Sequence, residues 1–430
     1  MKIFFSVGEP SGDLHGANLI RRLRQQQPGL QAVGYGGPRM AAAGCQLHED
    51  LTQLAVMWFA RVLLNLHRFW GLVSNADRYF RHQRPDAVVL IDYPGMNWWI
   101  ARRAKAHGIP VFYYGTPQMW AWAGWRVKKM RRLVDHVLCK LPFEPAWYRQ
   151  RGCRATFVGH PYFDEMRQTS LDWSFLDQQR QYGGRLITIL PGSRTQEVVK
   201  NLPSFLSAAR RVHDAVPDVR FAVASFSPRQ AAMARHLVDK SNLPVEVHQG
   251  RTPELIHLAH SCLACSGSVS LELLYHEKPT VIQYRVTPAF FLFVRLFRRL
   301  LQLKAKYITL VNMLADEPFA ARPWAIDPRS AEAHKAVFPE FPTCTDKSEW
   351  LAHYLVEWLT DPSAYERRVE QLRQIKAEVA NSGASGTAAR YILRHLRQRQ
   401  TAIPRPHFVP AASQTSRNRA LAMADAADAR

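Results

Sequence analysis

Short apolar runs alternate along the chain with longer charged stretches whose apolar residues recur at helical spacing. In the first half the apolar runs include IFFSVG, AVVLID, VFYYGT and HVLCKLP, each ending at or beside Gly, Asp or Pro. Charged stretches such as LIRRLRQQQ and NWWIARRAKAHG lie between them. This alternation of strand-sized and helix-sized segments predicts an α/β fold with a parallel, doubly wound sheet.

A second series of apolar runs begins after a polar stretch near residues 165–183 and includes RLITILPGSR, VRFAVASF, CLACSGS and TVIQYR. One hydrophobic core seldom grows beyond about 250–300 residues. A chain of 430 residues is therefore expected to form two cores. We predict two Rossmann-like domains, then two helices, then a disordered tail, with the bounds 1–170, 171–361, 362–400 and 401–430.

The chain is strongly basic, with 57 lysines and arginines against 35 acidic residues and a formal charge of +22. Such a charge attracts phosphates, nucleic acids and anionic membrane surfaces alike. A nucleic-acid-binding protein is expected to interleave aromatic and basic residues on an exposed sheet or a recognition helix. Here the basic residues crowd instead on apolar helical stretches and in the tail, which argues against nucleic acid as the partner.

Cysteine usage and the start of the chain both indicate a cytoplasmic protein. The six cysteines are scattered, and the one close pair, Cys262 and Cys265, lies in an apolar run. Residues three apart on a strand point to opposite faces, so reduced thiols are favoured over a metal or redox pair. The apolar start spans about five residues, too few for a signal peptide, and no uncharged run reaches the roughly 18 residues that span a bilayer.

The stretch LPGSRTQE predicts a turn between a strand and a helix that can hold an anion. Gly192 and Ser193 stand at the strand end, and Arg194 supplies a positive charge. Ser193 and Gln196 form a candidate capping pair for the helix. An ordinary turn with a surface arginine is the alternative.

The stretch CSGSVSLELL repeats this arrangement at a second strand end. Gly267, Ser268 and Ser270 would let backbone N–H groups approach a diphosphate. Glu272, about one turn into the helix, could accept hydrogen bonds from two ribose hydroxyls. Plain helix capping by serine is the alternative.

In the first half, VVLIDYPGMN places Asp92 at the end of a buried strand. A carboxylate there is a candidate general base, and a helix-capping or turn residue is the alternative. Neither VGEPSGDLHG, which reads as a flexible polar loop, nor VGYGGPRM fits the dinucleotide-binding fingerprint, and the P-loop pattern is absent. A dinucleotide-dependent oxidoreductase is therefore poorly supported.

Two apolar stretches with interspersed basic residues indicate contact with lipid. LAVMWFARVLLNLHRFWGLV carries Arg61, His67 and Arg68, and AFFLFVRLFRRLLQLKAKY carries five basic residues in helical spacing. Basic amphipathic helices of this kind lie on anionic membrane surfaces. Core helices or an oligomer interface are the alternatives.

Ten features occur in the order seen in one enzyme family: GEPSGDLHGANLI, GYGGPRM, LAVM, Asp92, TPQMWAW, LPFEPAWY, VGHP, LPGSR, SGSVSLE and LVNML. From about residue 3 to about residue 390 the chain resembles the lipid-A-disaccharide synthases. The resemblance implies a GT-B glycosyltransferase, with two Rossmann-like domains facing across a cleft and the nucleotide sugar bound mainly by the second. It also implies inverting transfer of 2,3-diacylglucosamine from UDP to the 6-hydroxyl of 2,3-diacylglucosamine 1-phosphate, a step of lipid A synthesis that needs no cofactor and no metal ion.

The resemblance also assigns roles to residues of this chain. Asp92 would activate or orient the acceptor hydroxyl, Arg194 would meet charge on UDP or on the acceptor phosphate, and Asn312 matches a polar active-site position. The implied UDP-binding residues are Gly192, Ser193, Gly267, Ser268, Ser270 and Glu272. The expected first-domain wall of the cleft comprises Glu9, Ser11, Gly12, Asp13 and His160.

The two lipid stretches fit this resemblance, because both substrates carry acyl chains held in the cytoplasmic leaflet and a basic rim is attracted to that surface. We therefore expect a cytoplasmic protein bound peripherally to the inner membrane. A homodimer formed through the helices after residue 362 is a further expectation from the family.

Several positions depart from the pattern of that family. Gly95 stands where a second acid is often found, and Trp58 and Arg61 stand where a glycine and an acid are usual. A longer stretch also replaces the customary G-R-E segment between LVNMLADEP and FPEF. These departures keep two alternatives open: a related GT-B transferase that uses another UDP-sugar and lipid acceptor, and a non-catalytic member that binds UDP-sugar or lipid.

Overall fold

The structure of the chain is a computed structural model, which describes residues 1–52, 66–297, 300, 302–303, 305–316, 336–380 and 383–402. The chain divides into two units, residues 1–391 and 392–430. Both sheets lie in the first unit, and the second unit begins inside the last described helix.

The first sheet is formed by seven parallel strands, β1 (Lys2–Val7), β2 (Gln31–Gly36), β3 (Cys45–Asp50), β4 (Ala87–Ile91), β5 (Val111–Tyr114), β6 (His136–Cys139) and β7 (Ala155–Phe157). In space their order is β3-β2-β1-β4-β5-β6-β7. In β1, an interior strand of this sheet, Phe4 pairs with Val33 on one side and with Val88 on the other. The consecutive residues Ile3, Phe4 and Phe5 are all fully buried, so both faces of this sheet are covered.

The second sheet is formed by six parallel strands, β8 (Arg185–Leu190), β9 (Val219–Ser225), β10 (Val245–Gln249), β11 (Ser261–Cys265), β12 (Thr280–Arg285) and β13 (Glu340–Thr343). Their order in space is β10-β9-β8-β11-β12-β13. The described residues thus form two parallel sheets with crossover connections, which confirms the predicted α/β fold class.

Helices occupy most of the segments between the strands. The first eight are α1 (Pro10–Gln26), α2 (Pro38–Ala42), α3 (Leu66–Gln83), α4 (Pro94–Ala106), α5 (Val127–Leu133), α6 (Glu144–Arg149), α7 (Pro161–Met166) and α8 (Trp173–Arg180). The other nine among the described residues are α9 (Thr195–Ala215), α10 (Pro228–Ser241), α11 (Thr252–Leu258), α12 (Val269–Tyr275), α13 (Pro288–Phe297), α14 (Leu310–Ala315), α15 (Ser348–Thr360), α16 (Pro362–Val379) and α17 (Ala384–Ala402).

Alternate residues of one strand supply two separate cores in the second sheet. Ile187 and Ile189 of β8 pack with α9 and α15, whereas Leu186 and Leu190 pack with α11 and α12 on the other face. Each fully buried aliphatic side chain stabilises the fold by about 1.5–3 kcal/mol relative to exposure. This double burial explains why the strands read as unbroken apolar runs in the sequence.

Each sheet has a topological switch point, where the strand order reverses direction. It lies between β1 and β4 in the first sheet and between β8 and β11 in the second. Ligands of open α/β sheets bind beyond the carboxyl ends of the strands at such points. Glu9 and Asp92 follow the first pair of strands, and Arg194 and Gly267 follow the second pair.

The connecting segments join the two sheets more closely than a single boundary implies. Phe163 of α7, which precedes the predicted boundary at residue 170, packs in the core of the second sheet. Asp164 accepts hydrogen bonds of 2.7–3.2 Å from three backbone N–H groups at the start of α17. In α17, Ser385 and Tyr391 contact residues of β5 and β6 in the first sheet.

The four predicted domain bounds remain predictions. The segment 401–430 lies outside the described residues except for its first two residues, which belong to α17. Trp58, Arg61 and the predicted lipid stretch around them lie largely outside the described residues. The stretch between LVNMLADEP and FPEF, predicted to replace the family's G-R-E segment, also lies outside the described residues except for Ala336 and Val337.

Candidate active site

The stretch predicted as a flexible loop after β1 is the start of a helix, which corrects the sequence interpretation. α1 begins at Pro10, whose missing N–H group would have no partner in a first helical turn anyway. A Cβ atom at Gly12 would lie only 2.9 Å from Val7 Cγ1. One at Gly16 would lie 2.7 Å from Met40 Sδ. These glycines therefore permit close packing of α1 on its neighbours and do not indicate a mobile loop.

The predicted wall residues in this stretch differ in exposure. Glu9 and Ser11 are exposed beyond the carboxyl end of β1, and Gly12 is buried. Asp13 is 3% exposed, and its carboxylate accepts three hydrogen bonds of 2.9–3.0 Å from backbone N–H groups at the start of α2. Asp13 thus caps α2, and its carboxylate is not free to meet a sugar hydroxyl. Glu9 and Ser11 are left as the accessible polar residues of this stretch.

Asp92 follows β4 in an unusual backbone conformation. Its φ angle is 45° and that of Tyr93 is 40°, in the left-handed region that non-glycine residues seldom adopt. The Asp92 carbonyl accepts hydrogen bonds from Asn97 Nδ2 at 2.7 Å and from the Tyr113 hydroxyl at 2.6 Å. Such conformations cost about 1–3 kcal/mol each and persist where surrounding contacts hold them. Here the buried side chains of Asn97 and Tyr113 supply those contacts.

The carboxylate of Asp92 forms an ion pair with Lys140, which follows β6. Lys140 Nζ lies 3.3 Å from Asp92 Oδ1, and the two side chains are 18% and 21% exposed. Oδ1 also faces Gly115, where a Cβ atom would lie 3.1 Å away. Among the described residues none donates a hydrogen bond to Oδ2. One oxygen of the carboxylate is therefore held by protein, and the other remains available.

The pKa of Glu9 is shifted by charged residues that follow strands of both sheets. Partial burial raises the pKa of Glu9, and the negative charge of Asp92 raises it further. The positive charges of Lys140 and Arg194 act in the opposite direction on this pKa. Because Arg194 follows a strand of the second sheet, this group of charges includes residues that follow strands of both sheets.

Two histidines near Lys140 are neutral at physiological pH. Burial lowers the pKa of His15 to about 4, and its Nδ1 has no hydrogen-bond partner among the described residues. Burial, followed by the charge of Lys140, holds the pKa of His160 well below its usual value. His160 Nδ1 accepts a hydrogen bond of 3.3 Å from the Tyr162 backbone N–H, so it caps α7. Neither histidine therefore adds positive charge near Asp92.

A pocket of about 570 Å³ opens at the carboxyl ends of the second sheet. Its volume lies within the range of about 300–1,000 Å³ that is typical of small-molecule sites. The predicted residues that line it are Gly192, Ser193 and Arg194 after β8, Gly267 and Ser268 after β11, and Glu272 in α12. The two turns identified from sequence thus meet at one pocket because β8 and β11 are neighbours in the sheet.

The turn after β8 is closed by Arg194 and Glu197, which corrects the predicted pairing of Ser193 with Gln196. Glu197 accepts hydrogen bonds from the Arg194 backbone N–H at 3.1 Å and from Arg194 Nη1 at 3.0 Å. Gly192 has a φ angle of 126°, and a Cβ atom there would lie 2.4 Å from Glu197 Cβ. The Arg194 side chain nevertheless remains 79% exposed at the pocket, where it can meet an anion.

Two predicted site residues are fully buried and do not line this pocket. Ser270 Oγ donates to the Gly267 carbonyl at 2.8 Å and so braces the turn after β11. Asn312 Nδ2 donates to the Phe338 carbonyl and to Glu340, and Asn312 Oδ1 accepts from the Phe338 N–H. These bonds engage both ends of the amide and fix α14, and the active-site role of Asn312 stays a prediction.

Glu272 lines the pocket, and one oxygen of its carboxylate is unpaired among the described residues. Its Oε1 is buried without a hydrogen-bond partner among the described residues, whereas Oε2 accepts from the Tyr162 hydroxyl at 3.4 Å. Burial raises the pKa of Glu272 to about 7, and the Tyr162 hydrogen bond opposes that shift. An unsatisfied buried acceptor costs about 1–3 kcal/mol, so a ligand with hydroxyl donors would be favoured here.

The pocket also contains aromatic residues that the sequence interpretation missed. Phe226 follows β9 and is 75% exposed, which offers a stacking face for a planar base. Its signal was present, because an aromatic residue ends the apolar run VRFAVASF. Tyr162 carried no such signal, since it lies 110 residues away from its partner Glu272 in the chain.

The described residues also bear on metal binding, thiols and membrane spanning. Within the described ranges, no three His, Cys, Asp or Glu side chains are grouped so as to hold a metal ion. Cys262 and Cys265 are buried free thiols, as the apolar strand around them predicted. None of the helices found in the described part of the chain combines the length and apolar character needed to cross a membrane.

Comparison with known proteins identifies the family. A family model described as lipid-A-disaccharide synthetase matches residues 3–335. The chain belongs to the lipid-A-disaccharide synthase family. It is 32% identical over 400 residues to the lipid-A-disaccharide synthase of Geobacter sulfurreducens, an alignment that covers 92% of this chain and 97% of that protein.

Solved structures share the fold at low sequence identity. A UDP co-structure of MnaA from S. aureus matches with a TM-score of 0.58 and 13% identity, covering 94% of this chain and 98% of the other. The structure of the kitacinnamycin glycosyltransferase matches with a TM-score of 0.56 and 18% identity, covering 91% and 98%. At these identities the likeness shows the fold alone, and it confirms the GT-B architecture.

Membership of the lipid-A-disaccharide synthase family confirms the resemblance found in the sequence, together with the predicted enzyme class and role. This family member is a glycosyltransferase of lipid A disaccharide synthesis, and it acts on lipid-linked sugars. Of the departures from the family pattern, Gly95 lies exposed on the first turn of α4, and a Cβ atom there would meet nothing within 4 Å. An acidic side chain would therefore fit, so packing does not account for this departure.

Proposed function

We propose that the chain transfers 2,3-diacylglucosamine from UDP to the 6-hydroxyl of 2,3-diacylglucosamine 1-phosphate, with inversion, and releases UDP. The observation that carries the proposal is one pocket lined by both Arg194, whose guanidinium is exposed, and Glu272, whose carboxylate has one oxygen without a hydrogen-bond partner among the described residues. The first group suits a diphosphate and the second suits the hydroxyls of a ribose. A uridine diphosphate carries both chemical features.

On the donor side, Arg194 and the two turns around it are proposed to bind the diphosphate. Gly192 and Gly267 have no side chain that would keep backbone N–H groups from the phosphates, and Ser193 and Ser268 add hydroxyl donors. As the anomeric C–O bond breaks, negative charge grows on the departing UDP. Arg194 would stabilise that charge from a position already fixed by Glu197.

On the acceptor side, Asp92 is proposed to act as the general base. Its free Oδ2 would take the proton of the acceptor hydroxyl while the hydroxyl oxygen attacks the anomeric carbon from the side opposite UDP. In support of a shared cleft, the charges of Asp92 and Arg194 both shift the pKa of Glu9. Glu9 and Ser11 would offer polar contacts to the sugar hydroxyls.

The proposal is tested by incubating the purified chain with both lipid substrates and measuring disaccharide 1-phosphate and UDP. Formation of both products in equal amounts is expected. Binding of UDP without product would favour the non-catalytic alternative. Product from a different UDP-sugar or lipid acceptor alone would favour the related-transferase alternative.

The affinity for UDP is expected to fall as the pH falls through about 7, because ribose hydroxyls donate to the ionised form of Glu272. Burial raises the pKa of this carboxyl to about 7, so lowering the pH neutralises it. Between about pH 8 and about pH 6 the ionised fraction drops roughly tenfold, and the dissociation constant should rise by a similar factor. Isothermal titration calorimetry with UDP at each pH measures this dissociation constant.

The matched control for this pH effect is Glu272→Gln, which keeps the shape of the side chain but cannot ionise. Its remaining pH dependence belongs to the phosphates of UDP, whose last proton also titrates near a pKa of about 6. The wild type should lose about tenfold more affinity than the variant over the same pH range. Equal slopes for the two proteins would remove Glu272 from ribose binding.

We also propose that the chain binds peripherally to the cytoplasmic face of the inner membrane, where acylated substrates would reside. Large apolar side chains are exposed along α13 and just after it: Phe290, Leu292, Phe293, Leu296, Phe297 and Leu300. The net charge of +22 would add attraction to anionic lipid. Homodimer formation remains a prediction, which analytical ultracentrifugation of the purified chain can check.

Replacing Phe293 and Leu296 together by glutamate is expected to weaken binding to phosphatidylglycerol-containing vesicles at least about tenfold. The change removes two apolar side chains that would enter the interface, and each is worth about 1.5–3 kcal/mol when fully buried. Vesicle co-sedimentation measures the fraction of protein bound to lipid. Trp173→Glu, which alters a side chain that is 59% exposed in α8, serves as the control and should bind as the wild type does.

A further inference from the structure

Lys140 occupies a position of chemical interest that no motif indicated. It follows β6, and its ammonium group lies 3.3 Å from Oδ1 of Asp92, with both side chains about four-fifths buried. Partly buried ion pairs are screened much less than exposed ones. The contact joins the ends of two strands, β4 and β6, that are separated in the sheet by β5.

The buried side chain of Glu144 fixes the backbone at Lys140 through hydrogen bonds. One carboxylate oxygen of Glu144 accepts hydrogen bonds from the backbone N–H groups of Lys140 at 2.9 Å and Leu141 at 3.0 Å. The other accepts from Trp120 Nε1 at 2.9 Å. Glu144 is 1% exposed, so this clamp is isolated from water. The root of the lysine side chain is thereby held in place.

The partner Asp92 is held just as firmly at its backbone. Its carbonyl is bound by Asn97 and Tyr113, and its left-handed conformation sets the direction in which the side chain leaves the chain. The rotation of the carboxylate remains to be set by contacts at its oxygens. Lys140 contacts Oδ1, whereas Oδ2 receives no hydrogen bond from the described residues.

We infer that Lys140 is a positioning residue for the transfer reaction: by holding Oδ1 of Asp92 it presents Oδ2 to the acceptor hydroxyl. The inference rests on the proposed role of Asp92 as the general base. In that step the acceptor O–H bond breaks and its proton passes to Oδ2, while the hydroxyl oxygen bonds to the anomeric carbon. The anomeric C–O bond breaks and its electron pair leaves with UDP, so no further reactant is required.

The charge of Lys140 also fits this role, because two carboxyl groups lie near each other at this edge of the sheet. The charge of Asp92 raises the pKa of Glu9, and the charge of Lys140 lowers it. His15 and His160, which also lie near Lys140, are neutral and do not replace its charge. Lys140 therefore opposes the rise in the pKa of Glu9 that Asp92 causes, and it supplies a positive charge beside the two carboxyl groups.

The test is to replace Lys140 by methionine and by glutamine and to measure kcat together with the dissociation constant for UDP. Misdirecting a catalytic group by about 1 Å can cost on the order of a hundredfold in rate. We expect kcat to fall about tenfold to a hundredfold in both variants, with UDP affinity within about twofold of the wild type. Lys140→Arg, which keeps the charge, should recover kcat to within about fivefold of the wild type.

Lys105→Met is the matched control, because Lys105 forms a comparable ion pair in the same part of the chain. Its Nζ lies 2.7 Å from Asp135 Oδ1, and the two side chains are 37% and 32% exposed. This variant should keep wild-type kcat. The double variant Asp92→Asn, Lys140→Met should be no slower than Asp92→Asn alone within about twofold, since a residue that acts through Asp92 has no effect once the base is gone.

The outcomes separate this inference from the function on which it rests. Unchanged kcat in both Lys140 variants, or losses that multiply in the double variant, would overturn the positioning role while leaving Asp92 as the base. Full turnover by Asp92→Asn, or no product from the wild type, would remove the base itself and the positioning role with it. Loss of kcat in the lysine variants without further loss in the double variant supports the inference.

Discussion

Replacing Asp92 with asparagine is expected to lower turnover about a thousandfold while the dissociation constant for UDP stays within about twofold of the wild type. Asparagine keeps the shape and the hydrogen-bonding reach of the side chain but cannot take a proton at its oxygen. The UDP pocket lies on the other sheet, so the donor site should be unaffected. Product formation in the disaccharide assay and calorimetry with UDP measure the two quantities.

Asp77→Asn provides the control for this variant. The Asp77 carboxylate also contacts a basic side chain, lying 3.0 Å from His107 Nε2, but it belongs to α3, which leads into the start of β4, whereas the candidate site follows the ends of strands. Its variant should turn over at the wild-type rate. A loss of less than about tenfold in Asp92→Asn would indicate that Asp92 orients the acceptor and that another group takes the proton.

Replacing Arg194 with methionine is expected to lower kcat/KM about a hundredfold to a thousandfold and to weaken UDP binding. Methionine keeps much of the side-chain length but removes the charge and all five N–H donors. The guanidinium is 79% exposed, and its ion pair within the described part of the chain is with Glu197, so little packing is lost with it. Steady-state kinetics and UDP titration together measure the change.

Arg180→Met is a close control, because Arg180 forms the same type of ion pair one helical turn apart. Its Nη1 lies 3.0 Å from Asp177 Oδ1, as Arg194 Nη1 lies 3.0 Å from Glu197 Oε1. Arg180 does not line the pocket, so its variant should behave as the wild type does. If Arg194→Met raised KM for the acceptor but left UDP affinity unchanged, the guanidinium would be assigned to the acceptor phosphate.

The charges at the candidate site bear on the departure at Gly95. A Cβ atom at Gly95 would meet nothing within 4 Å, so packing does not account for the missing acid. An acid in the first turn of α4 would also be favoured by the helix dipole. Without that acid, this edge of the first sheet carries less negative charge than the family pattern predicts.

Much of the fold was predictable because it depends on local pattern. Strands buried on both faces must be apolar throughout, and the helices that cover them must be amphipathic. The alternation of strands and helices is therefore visible in the sequence. The same holds for residues at strand ends. Arg194 and Gly267 could be assigned to one site because parallel strands carry their following turns to the same edge.

One error in prediction arose because glycine can serve either chain flexibility or close packing. In VGEPSGDLHG the glycines suggested a mobile loop. In the structure they let α1 pack closely on its neighbours, because a Cβ atom at Gly12 or Gly16 would lie less than 3 Å from a neighbouring side chain. Whether a glycine serves flexibility or close approach depends on its neighbours in space. The hydrogen bonds of Asp13 could not be predicted for a similar reason, because the N–H groups that it caps belong to a later helix.

By itself the sequence determined that this chain is a two-sheet α/β protein of the lipid-A-disaccharide synthase family, with anion-binding turns after two strands of its second half. Burial and strand-end position follow from patterns within short segments, so they can be predicted from the sequence alone. Only the tertiary structure decided which polar groups remain available. It engaged Asp13 and Asn312 with backbone, left Glu272 Oε1 unpaired, and brought Lys140 to Asp92 across 48 residues of chain. Hydrogen-bond partners distant in sequence leave no periodic signal, because such a pair is created only when the strands assemble.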